Sequence, residues 1–182
     1  MRRSHAEEER GARERLELLF DANHEAVARY VWRRTRPDVV DDVVAETFLV
    51  AWRRLDDVPA DSLPWLLGVA RRVISTQRRS AERQHSLVRK IADSSTPKWT
   101  DDPSAPGGTA VISALAQLSE RDREAITLIG WEGLTPAQAA AVLRIPRASF
   151  RARLSRAKRR LRQQLDEDAR TVPSLHPNRA SP

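Results

Sequence analysis

The chain has 182 residues, 40% hydrophobic and 31% charged, which suits one or two small domains. It has no cysteine, which excludes disulfides and thiolate metal sites, and its four histidines show no metal-ligand spacing. The formal net charge of +7 favours a polyanionic partner, with nucleic acid ahead of an acidic membrane surface. No apolar run approaches the roughly 20 residues that span a bilayer. We therefore expect a soluble, cytoplasmic protein without a membrane partner, a metal or a cofactor.

The front of the chain is helical in pattern. Residues 1–14 are highly charged and are expected to be flexible. A helix with Val27, Tyr30 and Val31 facing inward should follow and end at Pro37. The next helix, "DVVDDVVAETFLVAWRRL", has acidic residues early and arginines late, as the helix dipole favours, with Asp38 as the predicted N-cap. Its predicted buried face has two rows: Val40, Val44, Phe48 and Trp52 in one, and Val43, Thr47, Ala51 and Leu55 in the other.

A third helix follows the loop "DDVPADS". Ser62 is its predicted N-cap and Pro64 lies in its first turn. One side of this helix is apolar and the other basic, the basic side being formed by Arg71, Arg72, Arg78 and Arg79. Residues 81–109 are rich in Ser, Pro, Gly and Asp and are predicted to form a flexible linker between two domains.

The back half restarts at Ala110 with short helices. In "SERDREAITLIGWEG", Ser119 and Asp122 have the spacing of a capping box. In "TPAQAAAVLRI", Thr135 is the predicted N-cap and Gln138 completes a second box. The last helix should run from near Pro146 to about Leu165, and residues 166–182 are expected to form a flexible tail.

The last helix carries the clearest functional pattern. The stretch "RIPRASFRARLSRAKRRLR" has nine basic residues and no acidic one. Its inward stripe consists of Phe150, Leu154, Ala157 and Leu161, and its outer face holds small residues among arginines. A short capped helix, a tight turn and a basic second helix predict a helix-turn-helix that enters a DNA major groove. The alternatives are a solvated basic helix on a bundle and, less favoured, a helix on a membrane surface.

Three stretches together resemble a known family. "ALAQLSERDREAITLIGWEGLTPAQAAAVLRIPRASFRARLSRAKRRLRQQL" resembles region 4 of bacterial extracytoplasmic-function sigma factors. "DDVVAETFLVAWRRL" and "LPWLLGVARRVISTQRR" resemble two consecutive helices of the family's region 2. The resemblance covers roughly residues 15 to 165. The sequence departs from the family pattern at Ala45, Arg72, Phe150 and Arg151, and Arg144 replaces the usual glycine of the turn.

The resemblance implies an all-α fold of two small helical domains, region 2 at residues 15–80 and region 4 at residues 110–165. It implies a sigma factor that binds RNA polymerase core enzyme and promoter DNA, with an anti-sigma factor as a further candidate partner. The implied core-polymerase-binding residues are Asp41, Asp42, Glu46 and Leu49. Those implied for the -10 element are Trp65, Arg71, Arg72, Arg78 and Arg79. Those implied for the -35 element are Arg147, Ser149, Arg151, Ala152, Arg153, Arg156, Arg159 and Arg160.

Two other functions are alternatives for this sequence. A stand-alone helix-turn-helix regulator that binds DNA as a dimer would need a dimer seam or a ligand pocket in the front half, and the mixed charges there suit neither. An enzyme with a DNA-binding tail is a more distant alternative, because the sequence contains no nucleophile-base constellation, phosphate loop or metal-ligand set. The sequence therefore predicts a non-enzymatic transcription initiation factor.

Overall fold

The computed structural model describes residues 5–88 and 108–171, and every regular element in these two ranges is helical. The seven α-helices are α1 His5–Trp32, α2 Val40–Arg53, α3 Ser62–Val88, α4 Gly108–Ala116, α5 Glu120–Gly130, α6 Pro136–Leu143 and α7 Arg147–Thr171. Short 3-10 helices at Pro37–Val39 and Leu55–Asp57 flank α2. The predicted all-α fold is confirmed.

Helices α1, α2 and α3 form the N-terminal domain, in which each helix packs on the other two. Their apolar stripes meet in one core, to which Tyr30 of α1, Val43 of α2 and Leu66 of α3 contribute fully buried side chains. Thr47 is also fully buried, and its hydroxyl donates to the carbonyl of Val43 one turn earlier, so the polar group is satisfied inside the helix.

Helices α4 to α7 form the C-terminal domain, in which α7 packs against α4, α5 and α6. The inward stripe of α7 behaves as predicted, because Phe150 and Ala157 are fully buried and Leu154 nearly so. Arg123 closes the end of α4 by donating to the carbonyls of Leu115 and Leu118 at 2.8 and 3.0 Å. Carbonyls at a helix end have no partner within the helix, so a guanidinium there completes it.

Two details of α2 differ from the sequence predictions. Asp38 is not its N-cap: Pro37 starts a 3-10 turn that includes Asp38, and the carboxylate of Asp38 pairs with Arg36, leaving Val39 at the cap position. Trp52 was predicted to be buried, yet it is 39% exposed. The i, i+4 row from Val40 drifts around the helix, so its last member lies at the edge of the buried face.

Three predicted flexible segments are partly helical. Helix α1 begins at His5, inside the segment 1–14, and Glu7 and Glu8 in its first turn complement the helix dipole. Helix α3 continues to Val88, beyond the predicted linker start at residue 81, and α7 continues to Thr171. The linker residues 89–107 and the tail residues 172–182 lie outside the described residues.

The two domains pack against each other. Helix α3 contacts α6, and a single cluster of buried apolar residues continues from one domain into the other. Where α3 meets α6, a Cβ on Gly68 would lie 3.9 Å from the backbone of Val142. The sequence predicted two domains but no such interface.

Candidate nucleic-acid interface

The outer face of α7 is open and basic. Ala148, Ala152 and Ser155 are exposed there, and small side chains let a helix backbone come close to another surface. Within residues 5–88 and 108–171, no ion pair holds four of the exposed arginines on this helix, namely Arg147, Arg151, Arg156 and Arg159. These guanidinium groups are available for phosphates or base edges.

The elements before α7 place this face. The Thr135 hydroxyl accepts from the Gln138 backbone N–H at 3.3 Å, and the Gln138 side chain accepts from the Thr135 backbone N–H at 2.7 Å. The predicted capping box of α6 is therefore confirmed. Arg144 ends α6 in the left-handed region, with φ 54° and ψ 46°. Since glycine takes this conformation with less strain, Arg144 is a strained residue in the turn of the helix-turn-helix.

The remaining predicted -35 residues differ in their surroundings. Ser149 is exposed, while Arg153 is half-buried on the flank of α7. Arg160 forms an ion pair with the buried carboxylate of Asp122 on α5. Asp122 therefore serves the packing of α5 on α7, and its capping box with Ser119 is only half formed, by the Ser119 hydroxyl accepting from the Asp122 N–H.

The basic face of α3 divides into two pairs of arginines. Arg72 and Arg79 are exposed, and within the described residues Arg79 donates to the carbonyl of Ser75 in its own helix. Arg71 instead donates two hydrogen bonds to Glu124 of α5, at 2.7 and 3.1 Å. Arg78 donates to Glu120 of α5 at 2.9 Å. Half of the predicted -10 arginines therefore contact the C-terminal domain.

Trp65, also predicted for the -10 element, is half-buried at the rim of the N-terminal core. Its neighbour on α3, Leu66, is fully buried. A half-buried indole can anchor a helix and still offer part of a ring face to a base.

The predicted core-polymerase residues lie together on the outside of α2. Asp41, Asp42, Glu46 and Leu49 are all exposed. Trp52 on the same helix is also a large exposed hydrophobic residue, as are Leu18 and Phe20 of α1. Phe20 packs on Phe48 of α2 with ring centroids 4.8 Å apart. Exposed apolar side chains of this kind are typical of a protein-binding surface, and the sequence patterns did not indicate them.

A buried ionic cluster joins the domains and was also missed. Arg33 and Arg34 directly follow α1, and each binds one carboxylate oxygen of Glu132, at 2.7 and 3.0 Å. Arg34 also donates to the hydroxyl of Thr127 at 3.0 Å. Arg33 lies over the ring of Trp131. The available signal was the pair of adjacent arginines at a predicted helix end, but nothing local indicated the partner.

Burial and pairing change the protonation equilibria of three groups at or near this interface. The hydrogen bond that Arg71 donates to Glu124 raises the pKa of Arg71 above its ordinary value, which keeps this guanidinium charged. Burial lowers the pKa of Arg123. Burial also raises the pKa of the Tyr30 phenol to about 12, against an opposing effect of the nearby Arg34.

Among the described residues no group of three potential metal ligands occurs, and none of their helices is long and apolar enough to cross a membrane.

Comparison with known proteins agrees with this arrangement. The family model for Sigma-70 region 2 matches residues 19–84, and the model for Sigma-70, region 4, matches residues 109–161. The chain is 35% identical over 159 residues to the ECF RNA polymerase sigma factor SigL of Mycobacterium tuberculosis, covering 84% of this chain and 89% of the relative. The chain belongs to the ECF family of RNA polymerase sigma factors. The N-terminal domain is thus region 2 and the C-terminal domain is region 4.

Further relatives support the assignment. The RNA polymerase sigma factor NccH of Alcaligenes xylosoxydans is 30% identical, over 67% of this chain and 70% of that one. The sigma factor RpoE of Bartonella quintana, solved with the anti-sigma factor NepR, is similar in fold with a TM-score of 0.62 and 27% identity, over 84% of this chain and 97% of that one. CnrH, solved with the cytosolic domain of CnrY, is similar in fold with a TM-score of 0.58 and 26% identity, over 84% of this chain and 88% of that one.

This sigma factor binds RNA polymerase core enzyme and directs promoter recognition and transcription initiation. Sigma factors as a family are non-enzymatic transcription initiation factors. The alternative of a stand-alone helix-turn-helix regulator is not favoured, because both sigma domains match in order along the chain.

Proposed function

We propose that this sigma factor reads the -35 element with the outer face of α7, holds the opened -10 strand on α3 and docks on core polymerase through α2. It carries out no catalysis itself and acts in the cytoplasm with the core enzyme. The observation that carries the proposal is the division of α7 into a buried stripe, with Phe150 and Ala157 fully buried, and an opposite basic face without ion pairs among the described residues.

The two ends of that basic face have different roles. Arg151 and Arg156 stand beside small exposed residues near the start of α7, where the helix can approach base edges. Arg147, Ser149, Ala152 and Arg153 complete the groove-facing part. Arg159 lies further along α7, where a helix leaves the groove and meets phosphates. Arg160 is committed to Asp122, so its contribution is mainly to hold α7 on α5.

The test uses holoenzyme and a panel of -35 variants. We expect Arg151→Ala and Arg156→Ala to cost about 1–3 kcal/mol and to relax the choice of particular bases. Arg159→Ala should weaken all duplexes alike and lower the salt slope by about one unit. Equal, sequence-independent losses for Arg151→Ala and Arg159→Ala would show that α7 is a phosphate clamp only.

The -10 role rests on the basic face of α3 and on the half-buried indole of Trp65. Trp65→Ala should reduce promoter opening, measured by permanganate footprinting, by about 1–3 kcal/mol if a base stacks on the ring. Duplex -35 binding by the same holoenzyme should stay unchanged. A loss of thermal stability with normal opening would assign Trp65 to the core alone.

The core-binding role rests on an exposed leucine among acidic residues on α2. The double change Glu46→Arg and Leu49→Ala should weaken binding to core polymerase in a pull-down, because it reverses one charge and removes an apolar contact. A normal circular dichroism spectrum is the control for folding, and unchanged affinity would remove the assignment. We also propose an anti-sigma protein as a regulatory partner, since the RpoE relative was solved in complex with one.

A further inference from the structure

The acidic side of α5 faces the basic side of α3. Glu120 and Glu124 lie one helical turn apart on α5 and bind Arg78 and Arg71 of α3. The pairs join residues that are 42 and 53 positions apart in the chain. Two carboxylates of region 4 therefore hold two of the four arginines that the proposed function assigns to the opened DNA strand.

The Arg71 pair has the geometry of a phosphate contact. Its Nε and one Nη donate to the two oxygens of Glu124, as a guanidinium also does to two oxygens of a phosphate group. A phosphate can use these same two donors of Arg71 only when Glu124 has left them. The carboxylate therefore occupies the position that a DNA phosphate would take on this face of α3.

We propose that the packed arrangement of the two regions is a closed state in which region 4 competes with promoter DNA for the basic face of region 2. The inference rests on the proposed -10 role of α3. A strand phosphate that takes these donors of Arg71 and Arg78 displaces Glu124 and Glu120, which removes the ion pairs between α3 and α5. The closed chain is thereby a weak DNA binder, and separation of the regions exposes the full set of arginines.

The rest of the interface stabilises the same state. Glu132 of region 4 binds Arg33 and Arg34 of region 2, and all three side chains are at most 8% exposed. Helix α3 lies against α6 at Gly68. These contacts lie outside the predicted DNA residues, so they hold the regions together without a role in DNA binding.

The distance between the regions can be measured directly, because the native chain has no cysteine. Dyes attached after Ala45→Cys on α2 and Ser113→Cys on α4, both exposed positions, report energy transfer across the interface. In the full-length chain, Glu120→Gln with Glu124→Gln should lower the transfer efficiency. The same double variant, without dyes, should bind an oligo-dT single strand about tenfold more tightly at moderate salt, because each freed arginine can contact a phosphate.

The control carries the same charge change elsewhere. Glu14→Gln with Glu17→Gln on α1 also removes two negative charges, and neither residue forms an ion pair within the described ranges. It should leave the transfer efficiency and the affinity near the wild-type values. An equal gain in affinity for the control would assign the effect to net charge and overturn the proposal, as would an unchanged transfer efficiency for the Glu120 and Glu124 variant.

A third arm separates this proposal from the -10 assignment. Adding Arg71→Ala and Arg78→Ala to the Glu120 and Glu124 variant should abolish the gain in oligo-dT affinity while the transfer efficiency stays low. Lowered transfer without any gain in affinity would show that the regions separate but that α3 does not hold the strand. That result would overturn both the competition and the -10 role, whereas unchanged transfer would overturn the closed state alone.

Discussion

Nη1 of Arg34 lies 3.0 Å from Oε1 of Glu132, and both side chains are less than a tenth exposed although they belong to different regions. Burying two charges is costly, and their attraction offsets this cost only while both partners are present. Arg33 binds the other oxygen of the same carboxylate. One glutamate therefore neutralises two buried guanidinium groups.

Glu132→Ala should separate the two regions without unfolding either of them. Losing one partner of a buried pair costs about 3–5 kcal/mol when the other charge must stay buried. Here the arginines regain water if the regions move apart, so the loss is limited to the free energy of docking. Calorimetry of the full chain should change from one transition to two.

The control for that variant is Glu25→Ala. Glu25 pairs with Arg29 on the surface of α1, and exposed pairs of this kind contribute about 0.3–0.5 kcal/mol. Its calorimetric profile should keep a single transition. A single transition for Glu132→Ala at the wild-type temperature would contradict the importance given to the buried cluster.

Arg144→Gly should stabilise region 4 by about 1 kcal/mol, because glycine accepts the left-handed conformation without the strain that a Cβ imposes. The measurement is the free energy of unfolding in urea. Arg144→Ala is the matched variant, since it removes the same charge but keeps the Cβ, and it should give no such gain.

Gly133 provides the reverse case. Its φ is +66°, and no atom lies within 4 Å of the place where a Cβ would stand. Gly133→Ala should therefore lower the free energy of unfolding by about 1 kcal/mol through backbone conformation alone, without any steric clash. A neutral result in urea would mean that the segment after α5 can relax to a negative φ.

Gly68 tests the contact between α3 and α6. A Cβ there would be 3.9 Å from the Val142 backbone, an ordinary contact, so Gly68→Ala should keep the regions together. It should also stabilise α3 by up to about 1 kcal/mol, since alanine is the better helix former. Gly68→Leu carries further atoms toward α6 and should lower the energy transfer between the dyes. Equal transfer in the two variants would mean that the gap accommodates the larger side chain.

Tyr30 should make the protein sensitive to alkali. Burial raises its pKa to about 12, whereas the unfolded chain has the ordinary value of 10. Between these two values only the unfolded state ionises, so the free energy of unfolding falls as the pH rises from 10 to 12 and is unaffected below 10. The fall is at most about 3 kcal/mol.

Tyr30 is the only tyrosine, so tyrosinate absorbance reports this group alone. Tyr30→Phe should remove its contribution to the pH dependence. The hydroxyl has no hydrogen-bond partner among the described residues, so the change should cost little stability at neutral pH. A titration midpoint near 10 in the folded protein would contradict the burial of this phenol.

Local patterns in the sequence predicted most of the fold. The capping box at Thr135 and the inward stripe from Phe150 depend on residues at most one turn apart, so spacing alone reveals them. Periodicity was less informative about the width of a buried face, and for this reason Trp52 was assigned to the core although it is partly exposed. Asp38 failed as an N-cap because Pro37 begins a 3-10 turn first.

The contacts between the regions could not be predicted in this way. Arg34 and Glu132 are 98 positions apart, and each looks like an ordinary surface residue at a helix end. Arg71 was assigned to DNA because its helix face is basic, and nothing near it in the sequence indicated Glu124 as a partner. The type of chemistry was therefore predictable, while the present partner of each arginine depends on the tertiary structure.

The side-chain amide of Gln138 has a different partner at each end. Its oxygen accepts from Thr135 and completes the start of α6, while its nitrogen donates to Asp61 of region 2 at 2.7 Å. When the regions part, water replaces Asp61 at the nitrogen and the oxygen keeps its bonds. The start of α6, the helix that packs against α7, therefore keeps its hydrogen bonds when region 4 moves. We therefore expect region 4 to leave region 2 as a rigid body, with α6 and α7 already in their final arrangement before the protein meets a promoter.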